Sequence, residues 1–320
     1  MMKPDNIIRC TLSVLMVLGA GGVFGQSYPS KVVRVISGEV GGATDIATRI
    51  VTERLSAGWG QPVVVENRTT PLIGGEVMIN TPPDGYTVFF TASNFWTGPL
   101  FQKMPFDPIK DFVPITMVST APVVIAVLPA LKVESIKDLI GLAKSKPGVL
   151  NFGTATNGTA GHLAAELLKS MTGTSMQRIE YKGAAQSLTG LLGGEVQIAF
   201  LTVPSAMPMV KAGTVKALAV TSAQPSATAP GVPTVASYGL PGYEVASSIG
   251  VFVMPKTPEA ITNQLNRDIV RILLRTDVKE RFLSAGSEAV GNSPEQFLAA
   301  MKAEVARLSK VVKDAGISPE

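Results

Sequence analysis

The segment KVVRVISGEVGGATDIATRIVTERL, residues 31–55, changes its period half-way along. Lys31 to Ile36 is rich in β-branched residues and reads as a strand, whereas Asp45 to Leu55 places Ile46, Ile50, Val51 and Leu55 on one helical face. Between them lies SGEVGGATD, a loop of small residues. Strand, small-residue loop and helix together form the unit from which α/β sheets are built.

The same device recurs twice. Leu150 to Phe152 leads through GTATNGTAGH (Gly153 to His162) into a helix carrying Leu163, Leu167, Leu168 and Met171, and Ile179 to Tyr181 leads through YKGAAQS into the helix of Leu188, Leu191 and Leu192. Further strands are expected at Val63 to Glu66, Tyr86 to Thr91, Ile115 to Val118, Val123 to Leu128, Val196 to Phe200 and Val215 to Thr221, with a helix from about Ser135 to Pro147. Gln224 to Gly242, rich in Pro, Gly, Ser and Ala, reads as a long surface connection. Two amphipathic helices, Pro258 to Arg275 and Pro294 to Lys313, would fold back over the first lobe. The pattern is α/β, and 320 residues suggest two domains.

Residues 1–25 differ from the rest. Lys3 and Arg9 precede an apolar run from Leu12 to Phe24, with Val23 and Gly25 before Gln26, as in a secretory signal peptide. The single cysteine, Cys10, falls inside it, so the expected mature chain folds without disulfides. A net charge of +4 with no Lys/Arg stripe, and 6% aromatic residues, argue against nucleic acid as a partner. The expected location is outside the cytoplasm.

Each small-residue loop brings backbone N–H groups at a helix start to the carboxyl end of a strand, where anions bind. Candidate ligand-binding residues are therefore Glu39, Gly41, Gly42, Ala43, Thr44 and Asp45 in the first loop, Thr156, Asn157, Thr159, Ala160 and His162 in the second, and Gly183 and Ala184 in the third. Asn94 and Phe95, with Trp96, follow the strand Tyr86 to Thr91, and there the rings either pack in the core or wall a cleft. His162 is the only histidine and reads as a polar residue of a first helical turn or as a ligand contact. Without a second histidine, a cysteine after the signal segment or a GxSxG elbow, the common catalytic and zinc arrangements lack members. No catalytic residue, metal or cofactor is expected.

At these residues the chain resembles the tripartite tricarboxylate transporter substrate-binding family, also called Bug proteins. The segments that carry it are GGATDIATRI (Gly41 to Ile50), GQPVVVENR (Gly60 to Arg68), PDGYT (Pro83 to Thr87), FDPIKDF (Phe106 to Phe112), NGTAGHLAAEL (Asn157 to Leu167), YKGAAQSLTGLLGGEV (Tyr181 to Val196), KALAVTSAQPS (Lys216 to Ser226) and GLPGYE (Gly239 to Glu244). The resemblance implies a two-lobe, type II periplasmic binding-protein fold that closes over a small organic acid, held by backbone N–H groups of the loops at Gly41 to Asp45 and Thr156 to His162 and by the helix start at Gly183 and Ala184. It implies one lobe of residues 27–126 plus 247–320 and a second of 127–246. The partner implied is a two-subunit membrane transporter, with a membrane sensor kinase as the alternative, and the receptor itself is expected to be a monomer.

Two positions depart from the family. Ser37 to Val40 replaces a proline-rich, aromatic-containing run and brings Glu39, while Leu201 and Thr202 stand where many members have an Asp-Asn pair. With Leu201 counted among the ligand-binding candidates and Phe95 nearby, a less polar or aromatic carboxylate is expected over citrate.

Overall fold

The computed structural model describes residues 28–155 and 158–314. The expected signal peptide, Thr156 and Asn157 lie outside these described residues.

In chain order the strands are β1 (Val33–Ser37), β2 (Val63–Asn67), β3 (Thr87–Ala92), β4 (Val113–Val127), β5 (Asn151–Thr154), β6 (Gln177–Glu180), β7 (Ile198–Thr202), β8 (Lys216–Val220), β9 (Ala246–Val253) and β10 (Glu288–Ala289). The helices are α1 (Ala43–Trp59), α2 (Pro71–Ile79), α3 (Asn94–Thr97), α4 (Ile136–Ser145), α5 (Ala160–Thr172), α6 (Ala184–Leu192), α7 (Val203–Lys211), α8 (Glu259–Leu273), α9 (Thr276–Ser284) and α10 (Pro294–Asp314).

The fold is α/β with two lobes, and both share β4. Val113 to Pro122 pairs antiparallel with β9 in a half-sheet ordered β2-β1-β3-β9-β4, with β10 on the same stretch of β4. From Val123 onward β4 pairs with β7 and β8 instead, joining a half-sheet that continues through β5 to β6. The sequence shows two apolar runs here; the structure makes them one strand of 15 residues that changes partners after Pro122. Proline has no N–H to give a ladder, so an exchange of partners is well placed there.

Thr221 ties the two crossing chains together. Its hydroxyl accepts the Val123 N–H at 2.9 Å and donates to the Val245 carbonyl at 2.6 Å, while its backbone bonds to the same two residues. The site is buried, so each of these polar groups needs such a partner.

Helix α8 covers the first lobe as expected, its Leu265, Ile269 and Leu273 packing with Val35, Val51 and Val251. Helix α10 does more than cover that lobe. Phe297 and Met301 sit in the aromatic core of the first lobe, whereas Leu308 and Val311 join the core of the second beside Leu163 and Leu167. The stretch 224–242 contains one 3-10 turn, Ala236–Tyr238, and buries Ala229 and Val235, so it is stitched to the second lobe and is not purely a surface connection.

Strands β9 and β10 and helices α2, α3, α7 and α9 are not expected from the sequence. In α2, Gly74 and Gly75 look like loop residues, but a Cβ would stand 2.5 Å from the Phe89 ring at the first and 2.4 Å from Phe106 at the second. These glycines permit close packing of a helix. In α7, Pro204 lies in the first turn, where proline is tolerated, and Pro208 lies inside the helix.

Gly250 of β9 lies under Phe297 of α10, and a Cβ added there would be 2.1 Å from Phe297 Cζ. Gly250→Ala is expected to cost about 1–3 kcal/mol by overpacking, measured as a lowered urea midpoint; an unchanged midpoint would mean that α10 does not press on the sheet.

Candidate functional site

Strands β1 and β3 of the first lobe and β5, β6 and β7 of the second all end at the junction of the lobes, and each leads into a helix start. A cleft of about 440 Å³ opens there. Its wall contains Ala43 at the start of α1, Ala160 and Gly161 at the start of α5, Ala184 at the start of α6, and Thr202 and Pro204 at the start of α7. The crossing chains contribute Ser119, Ala121, Pro122, Val123 and Ser247, and the turn after α9 contributes Ala285, Gly286 and Ser287. Apolar cover comes from Ile46, Ala47, Phe200, Ile249 and Phe282. A second cavity, of about 170 Å³, shares Ala43 and reaches into the first lobe past Gly38, Glu39, Thr44, Thr69, Thr70 and Asn94.

The first N–H groups of a helix have no partner inside it. Caps usually satisfy some of them, yet α1, α6 and α7 have no side-chain cap bond at Gly42, Gly183 and Thr202. The third helical residue of each small-residue loop reaches backward instead. Asp45 accepts the Gly41 N–H at 3.0 Å, His162 Nδ1 accepts the Gly158 N–H at 3.2 Å, and Gln186 accepts the Lys182 N–H at 3.0 Å. Three different side chains thus brace three loops in one way, four residues back, and hold the helix starts toward the cleft. Gly41 makes its turn at φ +75°, in the left-handed region that favours glycine.

Asp45 is buried and satisfied within the protein. Besides the Gly41 N–H it receives Arg49 Nε at 2.9 Å and Asn67 Nδ2 at 2.8 Å, and Asn67 also donates to the Gly38 carbonyl. Burial pushes its carboxyl group up, but the hydrogen bonds from Arg49, Asn67 and Gly41 outweigh it and hold the group below the usual carboxylate range. His162 is 3% exposed, and burial, reinforced by Arg178 and Lys169, lowers its pKa to about 4. It is neutral at pH 7, as an acceptor at Nδ1 must be.

The two cavities gather most of the candidate residues. Ala43, Thr159, Ala160, Ala184 and Leu201 line the larger one; Glu39, Gly42, Ala43, Thr44 and Asn94 line the smaller. Gly41, Asp45, His162 and Gly183 shape or brace the loops from behind. Leu201 is fully buried among Val124, Ala126 and Ala199, so it backs the wall and presents little surface. Phe95 lines neither cavity: its ring is fully buried against Phe89, Phe112 and Phe252. Trp96 is likewise core, its Nε1 donating to Glu304 at 2.8 Å. The stacking wall is thus absent at these two residues, and the apolar surface of the cleft comes from Ile46, which the sequence places on the apolar helix face, and from Phe200 and Phe282, which it does not single out. Phe282 and Gly286 lie far along the chain from every loop motif, and no local pattern marks them.

Residues 47–317 match the family model described as the tripartite tricarboxylate transporter family receptor. The chain belongs to this family. It is 31% identical over 303 residues to protein BugT of Bordetella pertussis, covering 93% of each chain. Among solved structures, R. palustris Rpa4515 with adipate is 34% identical with a TM-score of 0.78, over 92% of this chain and all of that one. MatC from Rhodopseudomonas palustris with bound malate is 25% identical with a TM-score of 0.73, over 89% and 100%. Members of this receptor family are solute-binding proteins and not enzymes. Among the described residues no helix is long and apolar enough to cross a membrane.

With its pKa well below the unfolded value of about 6.5, His162 stabilises the fold fully above pH 6.5, and this contribution is lost as pH falls toward 4. The amount is on the order of 3 kcal/mol. NMR of the single imidazole should show a neutral ring at pH 5.5; a midpoint near 6.5 would contradict the brace.

Proposed function

We propose that this receptor captures a small organic carboxylate in the cleft between its lobes and delivers it to a tripartite tricarboxylate-type membrane transporter from the periplasm, after removal of residues 1–25. The observation that carries the reading is that four helix starts face one cleft whose described lining holds no cationic side chain. Hydrogen bonds to a charged group contribute roughly 1.5–3 kcal/mol each, so four backbone donors offer about 6–12 kcal/mol before ordering costs. Micromolar affinity requires about 8 kcal/mol. A cleft of this volume and apolar cover suits a ligand of small-metabolite size. The solved relatives with adipate and malate support the same ligand class.

The division into residues 27–126 plus 247–320 and 127–246 is proposed as the unit of closure. Its support is the change of sheet partners at Pro122/Val123, four residues before the first boundary, and the crossover that leads into β9 at Ala246.

The test is a thermal melt of residues 26–320 against monocarboxylates, dicarboxylates and ω-amino acids of four to eight carbons. Ligand at 100 times its Kd adds about 2.7 kcal/mol, which should raise Tm by about 4 °C. No shift with any acid would contradict the reading. Ala184→Asp places a negative charge at a helix start, where it stabilises the helix but repels an anionic ligand. That variant should melt no lower than the parent and lose at least a hundredfold in affinity for the acid identified; retained affinity would move the ligand away from α6.

A further inference from the structure

Glu39 is the single charged residue among those described as lining the two cavities. It belongs to the smaller cavity, whose other polar groups include Thr44, Thr69 and Asn94. It is exposed, and its backbone carbonyl closes the loop by accepting the Gly42 N–H at 3.0 Å. None of the ion pairs among the described residues involves Glu39, and neither cavity offers Lys or Arg to neutralise it. The larger cavity has the opposite character, with uncharged walls and helix starts. Ala43 lines both cavities.

Such a pair of cavities discriminates between the two ends of a ligand. A carboxylate in the larger cleft gains the helix-start amides. A second carboxylate reaching past Ala43 would meet the Glu39 carboxylate with no cation to offset the repulsion. An ammonium there would pair with Glu39 and with the surrounding hydroxyl and amide oxygens.

We infer that Glu39 sets the charge class of the ligand, selecting a carboxylic acid whose far end carries an ammonium and rejecting dicarboxylates of the same length. This rests on the carboxylate reading of the larger cleft and deepens it. It also separates this receptor by charge class from the relatives with adipate and malate, both of which are dicarboxylates.

The experiment is calorimetric titration of the mature chain and of Glu39→Gln with matched series of four to eight carbons: plain monocarboxylates, dicarboxylates and ω-amino acids. In the parent protein the best ω-amino acid should bind at least tenfold tighter than the dicarboxylate of equal length. Glu39→Gln should weaken the ω-amino acid about tenfold, strengthen the dicarboxylate about tenfold and leave the plain monocarboxylate within threefold. Because the loop bond uses the Glu39 backbone, the ligand-free melting temperature of the variant should stay within about 2 °C. A parent that prefers dicarboxylates, or a preference unchanged in Glu39→Gln, overturns the role of Glu39 while leaving the carboxylate reading standing. No binding of any acid to either protein overturns both.

Discussion

Everything in this molecule is arranged around β4, one strand that has to serve two sheets. At about 3.3 Å per residue its 15 residues span roughly 50 Å, enough to run the depth of both lobes. Because the chain changes partners at Pro122, the half-sheets meet edge to edge at that point, and Thr221 bonds β4 to the neighbouring crossover. The parallel strands of each half-sheet then present their carboxyl ends to the same junction. Parallel strands require helical crossovers, so a set of helix starts at the junction follows from the topology. Helix α10 lies along the seam, with apolar side chains in both cores and Arg307 3.2 Å from Glu244.

What the loops add is orientation. Backbone amides bind an anion well only if they are already aimed when it arrives, since ordering them afterward would consume much of the gain. The backward bonds of Asp45, His162 and Gln186 fix the three loops from outside the cleft and leave the helix-start amides available to a ligand. Burial keeps the acceptor role of His162 intact by keeping the imidazole neutral, which is why a histidine can stand where the other loops use a carboxylate and an amide. An arginine clamp would bind a carboxylate with greater strength per contact, but it would also bring a buried charge that needs a partner in the empty receptor.

The sequence made the loops legible because glycine and threonine runs between a period of two and a period of 3.6 have few other meanings. It also placed most strands to within two residues and both tail helices. Its failures have physical causes. Phe95 and Trp96 follow a strand that ends at the cleft, but a single helical turn directs both rings inward, toward Phe252 and Phe297 from more than 150 residues away. Residues 246–253, ASSIGVFV, begin with small polar residues that mask a central strand, and α7 is obscured by its prolines. Leu201 was singled out for the loss of polarity in the cleft; its side chain is in the core, and the exposed neighbour is Thr202. Glu39 is marked in the sequence as a departure from the family's loop, and among the described residues the lining of both cavities holds no Lys or Arg beside it.

On the proposed function, pre-aimed backbone amides and not a cationic side chain hold the ligand. Amide chemical-shift mapping during titration with a bound carboxylic acid tests it most directly. The largest downfield shifts are expected at Ala43 to Asp45, Ala160 to His162 and Ala184 to Gln186, with the imidazole of His162 still neutral. Changes concentrated elsewhere, such as around Lys103 and Met104 in the groove beside Trp96, would contradict it.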